Sequence, residues 1–105
     1  METTHVLVLT TVPTEMQATH LAHSIVKHGL AACVQIRSIR SVYRWKGDVC
    51  DEAEWLVMIK TTAQKYSDLE LHIKENHPYE TPEIVKLPII GGSPEYLAWI
   101  DTSVE

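Results

Sequence analysis

The chain has 105 residues, of which 45% are hydrophobic, and its formal net charge is −5. That length and apolar content suit a single core and a single domain, 1–105. No apolar run approaches the ~20 residues that cross a membrane, and no basic stripe is present to neutralise phosphates, which argues against a bilayer span and against nucleic acid as a partner.

The first five residues, Met1-Glu2-Thr3-Thr4-His5, lack the basic start and apolar stretch of a signal peptide, so the expected address is cytoplasmic. Val6-Leu7-Val8-Leu9 running into Thr10-Thr11-Val12 reads as a buried strand that Pro13 ends. Thr14-Glu15-Met16-Gln17 has the form of a capping box. Ala18, Leu21, Ala22, Ile25 and Val26 follow at helical spacing. Lys27 and His28 complement the helix C-terminus, and Gly29 supplies a left-handed stop. His20 and His23 fall on the opposite face of that helix, and with no acid or third histidine beside them they read as solvated surface.

Residues 31–62 then read as two long strands meeting at Lys46-Gly47-Asp48. On the second, Trp55, Val57 and Ile59 alternate with Leu56 and Met58, so both faces are apolar, as in a doubly covered strand. On the first, Val34 and Ile36 share one phase and Ile39, Tyr43 and Trp45 the other, a slip that a bulge or bend near Arg37-Ser38 would produce. Strands of roughly 15 residues would reach about 50 Å, whereas a compact domain of this size spans only about 35 Å. The outer hairpin, with Tyr43, Trp45 and Val49, is therefore expected to be buried against another copy, because exposed aromatic edge strands invite association. Cys33 and Cys50 fall on the order of 30 Å apart along the hairpin, too far for a disulfide, which suits a reducing compartment. Cys33 reads as a small core residue. Arg37, Arg40, Arg44 and Lys46 on one strand and Asp48, Asp51, Glu52 and Glu54 on the other read as cross-strand charge pairs.

Thr61-Thr62-Ala63-Gln64 is a second helix start of the capping type, followed by a stripe of Tyr66, Leu69 and Ile73, with Leu71 off that face. His77-Pro78 ends this helix. Residues 81–87 read as a short strand whose flanking Pro82 and Pro88 place it at a sheet edge. Gly91-Gly92 turns the chain, and Ser93-Pro94-Glu95 caps a last short helix bearing Tyr96, Leu97, Trp99 and Ile100. The order is β-α-β-β-α-β plus a terminal helix: an α+β, ferredoxin-like sandwich with a long hairpin between its second and third strands.

The densest polar cluster is His77-Pro78-Tyr79-Glu80-Thr81-Pro82-Glu83. An imidazole with two acids on a proline-stiffened loop suits copper or zinc, with His77, Glu83 and Glu80 as ligands. The same residues also suit a helix cap, His77 bonding carbonyls with Glu80 and Glu83 in water. No Ser-His-Asp or Cys-His spacing marks an enzyme.

Gly29-Leu30-Ala31-Ala32-Cys33-Val34, Ser41-Val42-Tyr43-Arg44-Trp45-Lys46-Gly47, Lys60-Thr61, the residues 77–83 and Tyr96-Leu97-Ala98-Trp99 together resemble the CutA divalent-cation tolerance family over essentially the full chain. The resemblance implies a homotrimer with strands of neighbouring subunits joined edge to edge, and a non-enzymatic link to copper, Cu(II), or other divalent cations with no organic cofactor. It puts metal ligands at His77 and Glu83, with Thr10 standing where some relatives carry a cysteine. Candidate trimer contacts are Tyr43, Trp45, Trp55, Tyr96 and Trp99. Two further readings stand beside this one. A sensor like the PII signalling trimers would hold an anion or other small molecule in a cleft between subunits, with Thr10, Lys60, Tyr79 and His77 as its candidates. A structural trimer would serve as a metal-independent assembly platform.

Overall fold

The computed structural model describes residues 4–105; the leader reading of Met1, Glu2 and Thr3 lies outside them. The elements are β1 (His5–Val12), α1 (Glu15–Lys27), β2 (Cys33–Trp45), β3 (Asp48–Thr62), a 3-10 turn (Ala63–Lys65), α2 (Tyr66–Glu75), β4 (Ile84–Pro88) and α3 (Pro94–Ser103). The four strands form one sheet in the order β2-β3-β1-β4, antiparallel at every pairing, which is the ferredoxin-like arrangement.

Local signals explain most boundaries. Thr14 caps α1, its hydroxyl oxygen accepting from the Gln17 amide at 3.2 Å. The Gln17 side chain accepts from that same hydroxyl at 2.8 Å instead of reaching back to the cap amide, so only half of the capping box forms. Gly29 leaves the helix at φ 69°, as a left-handed stop requires. Ser93 caps α3 by accepting from the Tyr96 amide, and Pro94 occupies its first turn. The second predicted cap is absent. Thr61 belongs to β3, and its buried hydroxyl donates to the Leu30 carbonyl at 2.7 Å. A 3-10 turn with no side-chain cap enters α2.

Val6, Val8, Val12, Val57 and Ile59 point to one face and pack under Ala18, Leu21 and Ile25 of α1 and Leu69 and Ile73 of α2. Val26 and Leu71 are exposed. The alternate phase faces away from these helices and is covered only toward its ends, where Asp101 and Tyr96 of α3 meet His5 and Lys60 and where Tyr79 meets Glu54. Leu56 and Met58 therefore stay half-exposed, and β3 is doubly covered along only part of its length. Cys33 is likewise half-exposed, not a core residue, and both cysteines are free thiols.

The hairpin overhangs as its length requires. The radius of gyration is 14.3 Å and the long axis 44 Å, against about 13 Å for a compact domain of this size. Its loop is the two residues Lys46 and Gly47, at φ 50° and 88°, the paired left-handed geometry that matches strand twist. The β2–β3 register is unbroken from Cys33↔Lys60 to Trp45↔Asp48, so the phase slip in β2 is a change in which face is covered, with no bulge in the ladder. None of its basic residues sits directly opposite an acid; Arg40 alone reaches one on the diagonal, through two bonds to Asp51 at 2.7 and 2.6 Å. The predicted charge ladder reduces to that exposed pair. Strands β2 and β4 are the two edges, β4 as its prolines predict, though it begins only at Ile84.

Candidate functional site

Pro13 stops β1 at Val12, whose partner is Trp55. Strand β3 continues past that point, so Glu54, in phase with Leu56 and Met58, has Ile39 of β2 on one side and no strand on the other. Residues 77–83 fill the gap. Pro78 forces His77 out of helical geometry, and the imidazole turns back over the end of β1. Its Nε2–H donates to the Thr11 carbonyl at 2.7 Å, and its Nδ1 accepts from the Tyr79 amide at 3.1 Å. These two bonds select one tautomer. Burial holds the His77 pKa below its ordinary value, against smaller opposing effects of the Thr11 carbonyl and Glu54.

Tyr79 stacks obliquely on His77, ring centroids 5.0 Å apart, and its hydroxyl donates to Glu54 Oε2 at 2.7 Å. Burial, then this bond to Glu54, pushes the phenol well above its ordinary range. Glu54 is only 6% exposed, and the hydroxyl of Tyr79 is its one side-chain hydrogen-bond partner among the described residues. Above this pair lies a cavity of about 730 Å³. The hairpin supplies one wall through Val42, Tyr43 and Trp45, the loop the other through Pro78 to Glu83, and Thr11 and Glu54 also line it. Every charged side chain in the lining is acidic: Glu54, Glu80 and Glu83. Lys46 approaches Glu80 at 3.9 Å with both side chains largely in solvent, a contact worth little.

The predicted ligands His77, Glu80 and Glu83 share this loop but do not form a centre. Among the described residues no three His, Cys, Asp or Glu side chains converge on a point where an ion would sit. Both nitrogens of His77 are already bonded to backbone, and Glu80 and Glu83 are exposed. This donor set does not fit a metal within one chain. The predicted anion cleft also comes apart. Thr10 pairs with Val57 and Lys60 with Leu7, an odd offset along the ladder that puts their side chains on opposite faces of the sheet. Thr10 is fully buried and lines no cleft. Lys60 is engaged by α3, 3.3 Å from the Tyr96 hydroxyl and over its ring. Of that group only Tyr79 reaches the cavity.

Tyr43 and Trp45 are about two-fifths exposed on the hairpin, as are Tyr96 and Trp99 on α3. Trp55 instead packs half-buried against the core under the helices. Glu54 was hidden within the run of charges in the sequence; its phase with Leu56 and Met58 is the signal that marks it as facing the sheet's open side.

The family model described as "CutA1 divalent ion tolerance protein" matches residues 6–103. The chain belongs to this family. The divalent-cation tolerance protein CutA of Thermus thermophilus is 45% identical over 95 residues, covering 90% of this chain and 92% of that protein. The chloroplastic protein CutA of Arabidopsis thaliana is 44% identical over 93% of this chain, which spans 54% of the plant protein's length. Among solved structures, the periplasmic divalent cation tolerance protein CutA from Archaeoglobus fulgidus superposes with a TM-score of 0.94 at 35% identity, over 96% of this chain and 99% of that one. In this CutA1 family member, the loop 77–83 and the hairpin tip, two of the stretches on which the resemblance rests, are the two walls of the acidic cavity.

Proposed function

We propose that the protein serves divalent-cation tolerance as a homotrimer in the cytoplasm, binding copper or another divalent cation at its acidic cavity without catalysing a reaction. The observation that carries this reading is the wall chemistry: the cavity's charged groups are three acids and no base. Carboxyl oxygens suit divalent cations and repel the anion that a PII-like sensor would hold. Because His77 offers no free lone pair as folded, the donors come from the lining carboxyl groups Glu54, Glu80 and Glu83, which do not converge on one point within the chain, so a neighbouring subunit has to complete the set. The same two bonds argue against a general-base role for His77, since both its partners are backbone amide groups that neither supply nor take up a proton.

Association is supported by the uncovered end of the hairpin, where Val42 is 66% and Val49 67% exposed beside Tyr43 and Trp45, and by the free edge of β2. Apolar edge strands of this kind pair with other chains, and three copies is the number implied by the resemblance. The free thiols Cys33 and Cys50 support a reducing compartment. The test is sedimentation equilibrium combined with Cu(II) titration of chelator-stripped protein. A trimer should bind Cu(II) saturably at micromolar concentration, at least tenfold more weakly in Glu54→Gln and Glu83→Gln. A folded monomer, or copper binding indifferent to both variants, would overturn the reading; a trimer that binds no copper would leave an assembly platform in its place.

A further inference from the structure

The helices on the covered face of the sheet meet in a seam that shares no residue with the lining of the acidic cavity. There His28, at the end of α1, and His72 of α2 lie ring against ring, with centroids 5.2 Å apart and planes inclined by 44°. Ser24, one turn before His28, anchors both. Its carbonyl accepts from His28 Nδ1 at 2.7 Å, and its hydroxyl is bonded to His72 Nε2 at 2.8 Å. Among the described residues these are the only hydrogen bonds the two rings make, so His28 Nε2 and His72 Nδ1 carry none.

We propose that His28 and His72 form a second, imidazole-based site for a borderline divalent cation of the Zn(II) class. Three features carry it. Zinc sits about 2.0–2.1 Å from an imidazole nitrogen, which puts the ring centre about 3.2 Å from the ion, so two rings at a tetrahedral angle lie about 5.2 Å apart. The observed separation is 5.2 Å. Each ring is oriented through its other nitrogen by a carbonyl or hydroxyl, the support that metal-binding imidazoles ordinarily have. His28 is exposed and His72 half-buried, so an ion reaches the pair directly and keeps water in its remaining positions. Two protein ligands make this an exchangeable site, unlike a closed four-ligand structural one. It stands independently of the acidic cavity.

The test is Zn(II) titration of the chelator-stripped full chain, followed by calorimetry and by long-range proton–nitrogen spectra of the imidazoles. In the wild-type protein, zinc should shift His28 Nε2 and His72 Nδ1. His28→Ala and His72→Gln should each weaken one Zn(II) equivalent at least tenfold, and Ser24→Ala by about tenfold through lost orientation. Glu54→Gln and Glu83→Gln should leave this equivalent unchanged, which separates it from the cavity. The spectra need no variant, so a misfolded substitution cannot mask the answer. Saturating zinc that leaves both nitrogens unshifted would overturn the site, as would zinc binding unchanged by His28→Ala.

Discussion

Two buried threonines on the same face of the sheet should respond oppositely to the same substitution. Thr10 and Thr61 are each 0% exposed. The Thr61 hydroxyl donates to the Leu30 carbonyl at 2.7 Å, whereas the Thr10 hydroxyl is buried without a partner among the described residues. Thr→Val exchanges the hydroxyl for a methyl of similar shape. At position 10 the change removes an unsatisfied polar group, whose burial costs about 1–3 kcal/mol, and places the new methyl beside Val57 and Ile84 across the ladder. Thr10→Val should therefore stabilise the fold by about 1–2 kcal/mol, or about 4–8 °C in Tm for each kcal/mol in a domain of this size. Thr61→Val should destabilise by about 1–3 kcal/mol, since the Leu30 carbonyl is left without its donor. Urea unfolding at one fixed protein concentration is the assay, because oligomerisation makes stability concentration-dependent. An unchanged m-value confirms that the midpoint shift reports stability. A loss of 1 kcal/mol or more in Thr10→Val would refute the reasoning, because it would mean that the hydroxyl has a bonding partner.

Gly29→Ala should cost about 1–2 kcal/mol for the left-handed backbone alone. The added Cβ would also lie 2.7 Å from Glu105 Cβ, so deleting Glu105 from the variant should restore part of the loss in the same urea assay. Tyr79→Phe should destabilise by about 1–3 kcal/mol by taking the donor from buried Glu54, and Glu54→Gln, which keeps an acceptor oxygen, should cost less; equal losses would mean that the bond contributes little. His72 and His77 both bind protons less readily in the fold than the ordinary value of 6.5. Unfolding then takes up protons, so their contribution is present above about pH 6.5 and is lost as pH falls toward the folded values. Urea midpoints measured in chelator between pH 8 and 5 should fall over that interval, and His72→Gln should flatten the slope.

Local chemistry made much of the fold legible in the sequence. Thr14, Gly29 and Ser93 mark helix ends because a cap or a left-handed residue acts within a few positions of itself. Pro82 and Pro88 mark an edge strand because a missing amide cannot sit in a central ladder. The hairpin announced its excess length through simple rise per residue. What spacing along one chain does not carry is the relation between strands. Thr10 and Lys60 fall on opposite faces because the ladder pairs Thr10 with Val57 and Leu7 with Lys60, an offset set by how β1 and β3 dock. The commitment of His77 to two backbone groups is hidden for the same reason, since Thr11 is 66 residues away in the chain. Glu54 reads as one acid among several until the end of β1 leaves it beneath Tyr79.

The outer margin of β2 presents main-chain amides and carbonyls, and those are common to every polypeptide. Such a margin cannot by itself tell a sibling from an unrelated strand or from another member of the same family. In the proposed assembly, discrimination would fall to the exposed rings of Tyr43 and Trp45 and to the tight Lys46-Gly47 bend beside that margin. If the proposed association runs along this edge, a cell expressing two such proteins with matching bends would assemble them into mixed oligomers.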